Sequence, residues 1–541
     1  MYFQRIFFIL SFVLCSFFLW KAWEKDRNIF TQSNVIKENS LINKFKTRLH
    51  VLKDSDVCIQ TDVFNIIIDK NSGYIKSAKL LKYRDEKDSS QYLNLLRTDA
   101  NYIFQMKTGF TEINNVNKLT HNINGIYNTK KKIYQLLPLH NKLIVPMTFI
   151  TKNGIKFVKK IIFHRGRYDI QIKYHVYNNT KKNFKVRIFG ECIQTVNPFF
   201  IDNDNLNINQ YRGISYSSDN DKYIRFELND ISNNKESLYK RIHTGWVAMV
   251  QKYFASVWIP NIDFQPNTIY TKKINQNTVA VGYHNSSICL PPHSFKEFHS
   301  KLWIGPKNQI EMAALAPNLN FTVEYGFLWF LSQPLLNCLN MFHSILGNWG
   351  FSIILLTIIM RLVMYPLTKS QFYSMARLKS LKPDIDYLKN KYKNDPKRMS
   401  AEIILLYKRK KINPLSGLLP VILQMPIFLS FYYTLTNSIE LKYSPFIFWI
   451  KDLSSYDPFY VLPVLMGLSM FIGQKMNTSN TFNNDISENV QEKMMLLTPF
   501  FFTIFFLWFP SGLVLYYLVS NIFNLIQQRL IHINLNKNKK K

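Results

Sequence analysis

A single arginine interrupts a long apolar run in the C-terminal half of the chain. Arg361 lies within the run Ile358-Ile359-Met360-Arg361-Leu362-Val363-Met364-Tyr365. Placing an arginine at the centre of a membrane helix costs about 2.5 kcal/mol or considerably more. Pro366 follows five residues later, about 8 Å along a helix axis. Two interpretations therefore stay open: the guanidinium reaches the cytoplasmic interface, or it faces a hydrated groove inside the protein.

Other side chains in the apolar runs could build such a groove around Arg361. The polar candidates are Thr357, Gln424, Gln474 and Asn521. The apolar runs contain neither Asp nor Glu, so an ion-pair partner within them is excluded. A lone positive charge would attract a carboxylate passing through the groove.

Large apolar side chains lie near the polar candidates. They could accept varied apolar segments of a second chain, and they also fit ordinary helix packing. These candidates are Met425 and Phe428 in one run and Phe501, Phe505 and Trp508 in another.

Enzyme motifs are missing from the sequence. GxSxG, HExxH and GxxxxGK[ST] do not occur, and the 11 histidines are scattered. The five cysteines never form CxxC, which makes structural zinc improbable, and their spacing leaves possible disulfide pairs undecided. We therefore expect no catalytic residues, no cofactor and no metal.

Six apolar runs predict membrane spans, because about 20 apolar residues cross a bilayer. They cover residues 7–20, 350–367, 415–436, 459–475, 496–509 and 511–530. The first is followed by Lys21-Ala22-Trp23 without a small-residue cleavage site. This indicates that residues 1–23 form an uncleaved signal anchor and not a cleaved signal peptide. Run 496–509 is short, so either flanking residues complete the span or the bilayer is thinned.

The net charge of +33 suggests a nucleic-acid partner at first sight. Lys and Asn are abundant throughout the chain, which indicates a general compositional bias, and we expect no DNA partner. The short loop 368–414 carries thirteen Lys or Arg against four Asp or Glu. Basic short loops stay in the cytoplasm. This places loop 368–414 and the tail 533–541 in the cytoplasm and the long segment 24–343 outside.

The external segment shows the two-residue periodicity of β-strands. Residues 168–176 alternate apolar and polar side chains, and residues 63–68 and 74–81 flank the turn Asn71-Ser72-Gly73. Further strands are predicted at 156–163, 185–189 and 246–258. We predict a β-sandwich over residues 57–320, connected by a polar tether, 24–56, to the anchor.

Two amphipathic elements flank the first core span. Residues 321–346 place polar residues on one helical face, which predicts a helix in the outer membrane interface, or alternatively one packed on the sandwich. Loop 368–414 predicts a helical hairpin that turns at Asp395-Pro396. Its basic surface either only fixes topology or contacts incoming polypeptide, lipid headgroups or ribosomal RNA.

Several motifs of the C-terminal third resemble the YidC/Oxa/Alb family of membrane protein insertases. These are Arg361-Leu362-Val363-Met364-Tyr365-Pro366-Leu367-Thr368-Lys369, Asn413-Pro414-Leu415-Ser416-Gly417, Gln424-Met425-Pro426-Ile427-Phe428 and Trp508-Phe509-Pro510-Ser511-Gly512. The anchor and the large external domain resemble the Gram-negative bacterial form. Leu418 and the Asn-rich loop 477–490 depart from the family pattern.

The resemblance implies an α-helical membrane bundle, with five core spans plus the anchor, and an extracytoplasmic all-β supersandwich. It implies a groove open to cytoplasm and lipid, in which Arg361 receives the hydrophilic part of a nascent chain. The apolar residues would then guide the transmembrane segment into the inner membrane. Implied partners are nascent membrane proteins, the Sec translocon (SecYEG, SecDF), the ribosome with the signal recognition machinery, and membrane lipids. The alternatives are a transporter or channel for an anionic solute, and a sugar-binding envelope protein.

Overall fold

The computed structural model describes residues 54–84, 91–99, 102–113, 120–196, 212–233, 235–261, 263, 266–392, 395–410, 419–478 and 497–539. The predicted anchor 1–23, nearly all of the tether, Leu418 and most of loop 477–490 lie outside these residues. The chain divides into two compact units between Thr322 and Val323.

The described part of the first unit is built from strands and two short helices. The strands are β1 (Asp56–Gln60), β2 (Phe64–Asp69), β3 (Ile75–Arg84), β4 (Tyr92–Thr98), β5 (Ile103–Ile113), β6 (Thr120–Asn122), β7 (Ile133–Gln135), β8 (Lys142–Ile150), β9 (Ile155–His164), β10 (Asp169–Asn178), β11 (Phe184–Thr195), β12 (Arg212–Ser217), β13 (Ile224–Glu227), β14 (Tyr239–Ile242), β15 (Trp246–Gln251), β16 (Phe254–Pro260), β17 (Asn267–Asn275), β18 (Thr278–Asn285), β19 (Ile288–Leu290) and β20 (Ser294–Pro306); the helices are α1 (Leu228–Ser232) and α2 (Gln309–Leu315).

These strands form two sheets that pack face to face. One runs in the order β14-β17-β18-β11-β5-β4-β3-β2-β1-β7, and the other in the order β13-β12-β15-β16-β20-β10-β9-β8. Phe110 of the first sheet meets Tyr174 and Phe298 of the second at ring-centroid distances of 4.9 and 5.0 Å. The predicted β-sandwich is confirmed, because alternating apolar residues meet in one core.

The turn predicted at Asn71-Ser72-Gly73 joins β2 to β3. The Asp69 carboxylate accepts hydrogen bonds from the Asn71 amide and the Ser72 hydroxyl. Gly73 has φ +69°, and a Cβ there would lie 2.6 Å from the Tyr127 ring, so glycine alone fits. The Gly73 carbonyl accepts a hydrogen bond of 2.6 Å from the buried Lys159 ammonium.

One strand prediction was too coarse. The stretch 246–258 is two antiparallel strands, β15 and β16, that pair Val247 with Trp258. The turn between them, Lys252-Tyr253, contains none of the residues that usually mark a reversal. The four described cysteines, Cys58, Cys192, Cys289 and Cys338, are free thiols.

The second unit is helical. Its helices are α3 (Trp329–Leu346), α4 (Trp349–Val363), α5 (Tyr365–Ser380), α6 (Lys382–Lys391), α7 (Pro396–Arg409), α8 (Leu419–Asn437), α9 (Val461–Thr478), α10 (Leu497–Phe506) and α11 (Ser511–Lys539). The apolar core joins residues of α3, α4, α8, α9, α10 and α11. Helices therefore form within all five predicted core runs.

Membrane crossing is supported in part by helix length. Among the described residues, no single helix combines the length and apolarity of a span. The pair Trp349–Val363 and Tyr365–Ser374, bent by 57° at its junction, is together long and apolar enough to cross a membrane. Val461–Met476 and Leu497–Phe506 are shorter apolar helices. The crossing of all five runs stays a prediction.

The polar hairpin is helical as predicted. It contains α5, α6 and α7, and the Asp395 side chain accepts a hydrogen bond of 3.1 Å from the Arg398 amide. Asp395 therefore caps α7, with Pro396 at its first position.

The amphipathic helix before the first core run is α3. Its apolar side chains Leu335, Leu339 and Phe342 are buried in the core of the helical unit. The Ser332 hydroxyl donates a hydrogen bond of 3.0 Å to the Ser430 carbonyl on α8. The apolar stripe therefore packs on neighbouring helices, and the interfacial location stays a prediction.

Candidate functional site

Arg361 lies in the last turn of α4 and is buried. Asn348 caps the start of this helix by accepting hydrogen bonds from the Gly350 and Phe351 amides. The Arg361 side chain is only 8% exposed. Its Nε donates to the Ser520 hydroxyl at 2.7 Å, and one terminal nitrogen contacts the same oxygen. Among the described residues, no carboxylate forms an ion pair with Arg361.

Helix α11 presents polar residues on two of its faces. Ser520 and Gln527, seven residues apart, face Arg361: the Gln527 amide donates a hydrogen bond of 3.2 Å to the Arg361 carbonyl. Asn521, Asn524 and Gln528 form the second face, which adjoins the first, because at about 100° per residue Asn524 lies between Ser520 and Asn521. The second face lines a cavity.

The cavity has a volume of about 280 Å³ and lies among α5, α9, α10 and α11. Its polar lining is rich in carboxamides, and none of the described residues that line it is charged. The lining residues are Gln371, Phe372, Ser469, Met470, Gly473, Gln474, Pro499, Asn521, Asn524, Leu525 and Gln528. The Asn521 amide donates to the Ser469 hydroxyl at 3.3 Å. Carboxamides and hydroxyls offer both donors and acceptors, so the cavity suits water or a peptide main chain.

The structure separates the predicted groove residues. Gln474 and Asn521 line the cavity, whereas Arg361, Thr357 and Gln424 do not. Arg361 and Thr357 lie on α4, which meets the other polar face of α11. Thr357 is 1% exposed and its hydroxyl donates to the Ile353 carbonyl at 2.6 Å. The expectation of one continuous groove with Arg361 exposed in it is therefore not met in this conformation.

Sequence reasoning missed Ser520, Asn524 and Gln528. A signal was present, because Ser520, Asn521, Asn524, Gln527 and Gln528 are the polar residues between Ser511 and Gln528 in an otherwise apolar helix. Sorting them by helical phase places all five on one polar side of the helix, with Ser520 and Gln527 towards one edge and Asn521 at the other.

The predicted apolar surface is largely exposed. Met425, Phe501, Phe505 and Trp508 are 54%, 69%, 53% and 73% exposed, respectively. Phe428 is half-buried and contacts the Phe506 and Tyr517 rings at 6.0 and 6.1 Å. Phe500 and Ile504 on α10 are equally exposed, so exposure alone does not distinguish a substrate surface from a lipid-facing one.

A folded loop covers the end of the bundle where α11 begins. The Ser511 hydroxyl donates to the Asp452 carbonyl at 3.0 Å, and the Gly512 amide donates to the Leu453 carbonyl at 2.9 Å. Asp457 is buried and accepts hydrogen bonds from the Trp449 indole and the Leu462 amide. The cavity residues Asn521 to Gln528 lie about 15 to 25 Å further along the helix. The bundle is therefore closed at one end and polar towards the other.

The 60Kd inner membrane protein family model matches residues 341–539, and the YidC periplasmic domain family model matches residues 56–338. The chain belongs to the YidC family of membrane protein insertases. It is an insertase and not an enzyme.

Its relatives match over nearly their whole length. The chain is 45% identical over 540 residues to the membrane protein insertase YidC of Buchnera aphidicola subsp. Acyrthosiphon pisum (strain APS), covering 99% of both chains. It is 44% identical to the YidC of Buchnera aphidicola subsp. Baizongia pistaciae (strain Bp), again covering 99% of both. A crystal structure of an active YidC insertase aligns at 17% identity over 89% of this chain and 93% of the other, with a TM-score of 0.37.

Proposed function

We propose that the cavity and Arg361 together receive the hydrophilic part of a nascent membrane protein during insertion. The observation that carries the proposal is a carboxamide-lined cavity among apolar helices, beside a buried cation to which no described residue offers a carboxylate. A translocated tail must lose water as it enters the bilayer, and each unsatisfied polar group there costs several kcal/mol. Side-chain amides can replace that water for any main chain, whatever its sequence.

Arg361 adds charge selectivity to this site. Its guanidinium donates hydrogen bonds to the neutral hydroxyl of Ser520, which solvates the charge without neutralising it. A carboxylate on the incoming tail would supply the missing charge, and attraction between unlike charges strengthens away from water. Ser520, which contacts the arginine, and Asn521, which lines the cavity, are adjacent on α11, so the two parts of the site meet on neighbouring sectors of one helix.

The exposed apolar surface would carry the other part of the substrate. Met425, Phe428, Phe501, Phe505 and Trp508 present flexible or aromatic groups that tolerate many apolar partners. We propose that a transmembrane segment passes over them into lipid while its hydrophilic flank occupies the cavity. No nucleotide is required in this scheme.

The proposed topology places the hairpin α5–α7 and the C-terminal tail in the cytoplasm and the β-sandwich in the periplasm. The basic hairpin supports this orientation. We propose that substrates arrive from the ribosome and signal recognition machinery, or from the Sec translocon (SecYEG, SecDF). Membrane lipids receive the finished segment.

Photocrosslinking to stalled nascent chains tests this proposal. Benzoylphenylalanine in place of Asn521 should capture the hydrophilic flank of the substrate, and in place of Phe505 it should capture the transmembrane segment. Ile345 on α3 is 75% exposed and apolar, so the same probe there is a matched control. Equal capture at Asn521, Phe505 and Ile345 would refute the proposed path.

A further inference from the structure

The outward face of strands β8, β9, β10 and β20 is strongly basic. Successive side chains along a strand point to opposite faces, so the residues that alternate with the buried core residues point away from the sandwich. Five lysines lie on this outward face: Lys142 at the far end of β8, and four on the three adjacent strands β9, β10 and β20, namely Lys156, Lys160, Lys173 and Lys301. Register places Lys160 beside Lys173 and Gln171 beside Lys301, so the charges extend over adjacent strands. We call the four lysines of β9, β10 and β20 the lysine face.

The lysine face is nearly free of negative charge. Outward-facing positions of these four fully described strands hold two carboxylates: Asp169, which pairs with the Arg167 side chain at 2.6 Å, and Glu297. Glu297 lies 3.8 Å from the Lys173 ammonium, 3.9 Å from His175 Nε2 and 3.4 Å from His299 Nε2. One carboxylate shared among three bases leaves the face with a positive excess.

Exposed apolar side chains border the lysine face at one end. Register aligns Ile150, Lys156, Tyr177 and Phe295 in one row across the four strands. Ile150 and Phe295 are 64% and 65% exposed. The Tyr177 and Phe295 rings stack at 5.8 Å, and the Lys156 ammonium lies 6.0 Å from the Tyr177 ring. The row therefore combines apolar contact area with a cation beside it.

We propose that this face of the β-sandwich binds the anionic headgroups of a phospholipid bilayer. Lysines attract a negative membrane surface, and apolar side chains beside them enter the boundary between headgroups and acyl chains. Lysine chains extend along apolar surface while their ammonium groups reach phosphate. An acidic polypeptide would match the lysines, but it offers no apolar layer for Ile150 and Phe295. Because the protein resides in the inner membrane, lipid phosphates are within reach of its external domain.

Photocrosslinking of the full-length protein in vesicles tests the proposal. Phe295→benzoylphenylalanine is reconstituted in vesicles of phosphatidylethanolamine with phosphatidylglycerol, or of phosphatidylethanolamine with phosphatidylcholine. The expected result is crosslinking to lipid that is at least about fivefold greater with phosphatidylglycerol and declines with salt. Tyr239, 75% exposed on the other sheet, carries the control probe and should show no such dependence.

Charge variants test whether the lysine face attracts anionic lipid or position 295 merely lies near the bilayer. Replacing the lysine face with glutamine should lower the lipid crosslinking at position 295 about tenfold, whereas replacement with arginine should preserve it. The control removes the same number of charges away from these four strands, at Lys222, Lys235, Lys272 and Lys273.

Two outcomes overturn the proposal. One is equal lipid crosslinking at positions 295 and 239 in both vesicle types. The other, in native membranes, is crosslinking of position 295 to an acidic protein in place of lipid. Thermal unfolding of each variant's β-sandwich, followed by circular dichroism, ensures that a lost crosslink does not reflect a lost fold.

Discussion

Both units of the molecule bury cations, and Lys159 of the sandwich and Arg361 of the helical unit are treated in opposite ways. Lys159 on β9 is 1% exposed, donates a hydrogen bond to the Gly73 carbonyl, and lies 5.5 Å from the Tyr174 ring. Arg361 on α4 is 8% exposed and donates to the Ser520 hydroxyl. Neither has a carboxylate partner among the described residues.

The difference lies in whether the charge can be lost. Burial lowers the pKa of Lys159 to about 7, so this lysine can become a neutral amine without leaving the core. A guanidinium stays protonated in proteins. The sandwich therefore holds its cation as a structural hydrogen-bond donor, whereas the helical unit maintains a permanent charge, which is useful only if something acts on it.

The largest expected effect on insertion comes from removing the permanent charge of Arg361. Arg361→Gln should lower the insertion of substrates with acidic translocated tails about tenfold or more, since a tenfold change corresponds to about 1.4 kcal/mol of lost attraction. Insertion of the same substrates with neutral tails should fall much less. Protease protection of both tails in proteoliposomes measures the ratio.

Arg361→Lys is the matched control, because it retains a cation and should preserve part of the preference for acidic tails. An equal loss for acidic and neutral tails in Arg361→Gln would leave Arg361 a packing role only. In that case the contrast with Lys159 would disappear.

The second effect concerns Lys159, whose titration should make the stability of the sandwich depend on pH. Because the folded-state pKa of Lys159 lies below that of the unfolded chain, the unfolded state binds more protons between pH 7 and about 10. The stability of the sandwich should therefore rise with pH above 7, by up to about 1.4 kcal/mol per pH unit. Hydrogen exchange of the β9 amides in the full-length protein measures this slope.

Lys159→Met keeps the length of the side chain and removes the titrating group, so the slope should flatten. Lys160→Met, one residue away on the outward side of the same strand, should retain it. An unchanged slope in Lys159→Met would show that another group is responsible.

Sequence periodicity predicted the sandwich and the helical unit. It did not predict the hydrogen bonds of the two buried cations, from Lys159 to Gly73 and from Arg361 to Ser520. The β2–β3 turn and the five apolar runs followed from residue type alone, since turns and helices depend on nearby residues. Lys159 lies in the run Phe157-Val158-Lys159-Lys160-Ile161, where strict alternation places it with Phe157 and Ile161 in the core. That signal was available, but Lys159 resembles its exposed neighbour Lys160.

The partner of Arg361 was less accessible to sequence reasoning. Ser520 is 159 residues away along the chain, and only the packing of α4 on α11 brings them together. Helical phase would have shown that Ser520 and Asn521 face different directions. It could not have shown which face meets Arg361.

The third effect concerns the cavity and is expected to be smaller, because several carboxamides can each form hydrogen bonds with the hydrophilic tail. Asn524→Leu should lower insertion of long hydrophilic tails about threefold, as one hydrogen-bonding partner is worth about 1 kcal/mol. Asn524→Gln should restore it. Asn337→Leu, an exposed site on α3, is the control for the same change of polarity, and an equal loss there would indicate a general effect on the membrane domain.

The smallest effect is expected from removing most of the β-sandwich. Deleting residues 60–310 removes Lys159 and the lysine face but leaves Arg361, the cavity and the loop that covers the start of α11. Because these parts belong to a separate compact unit, insertion in a depletion-rescue assay should largely survive. Complete loss, with the truncated protein still present in the membrane, would mean that the sandwich takes part in insertion. The two buried cations would then belong to one functional unit, and the structural role given to Lys159 would need to be reconsidered.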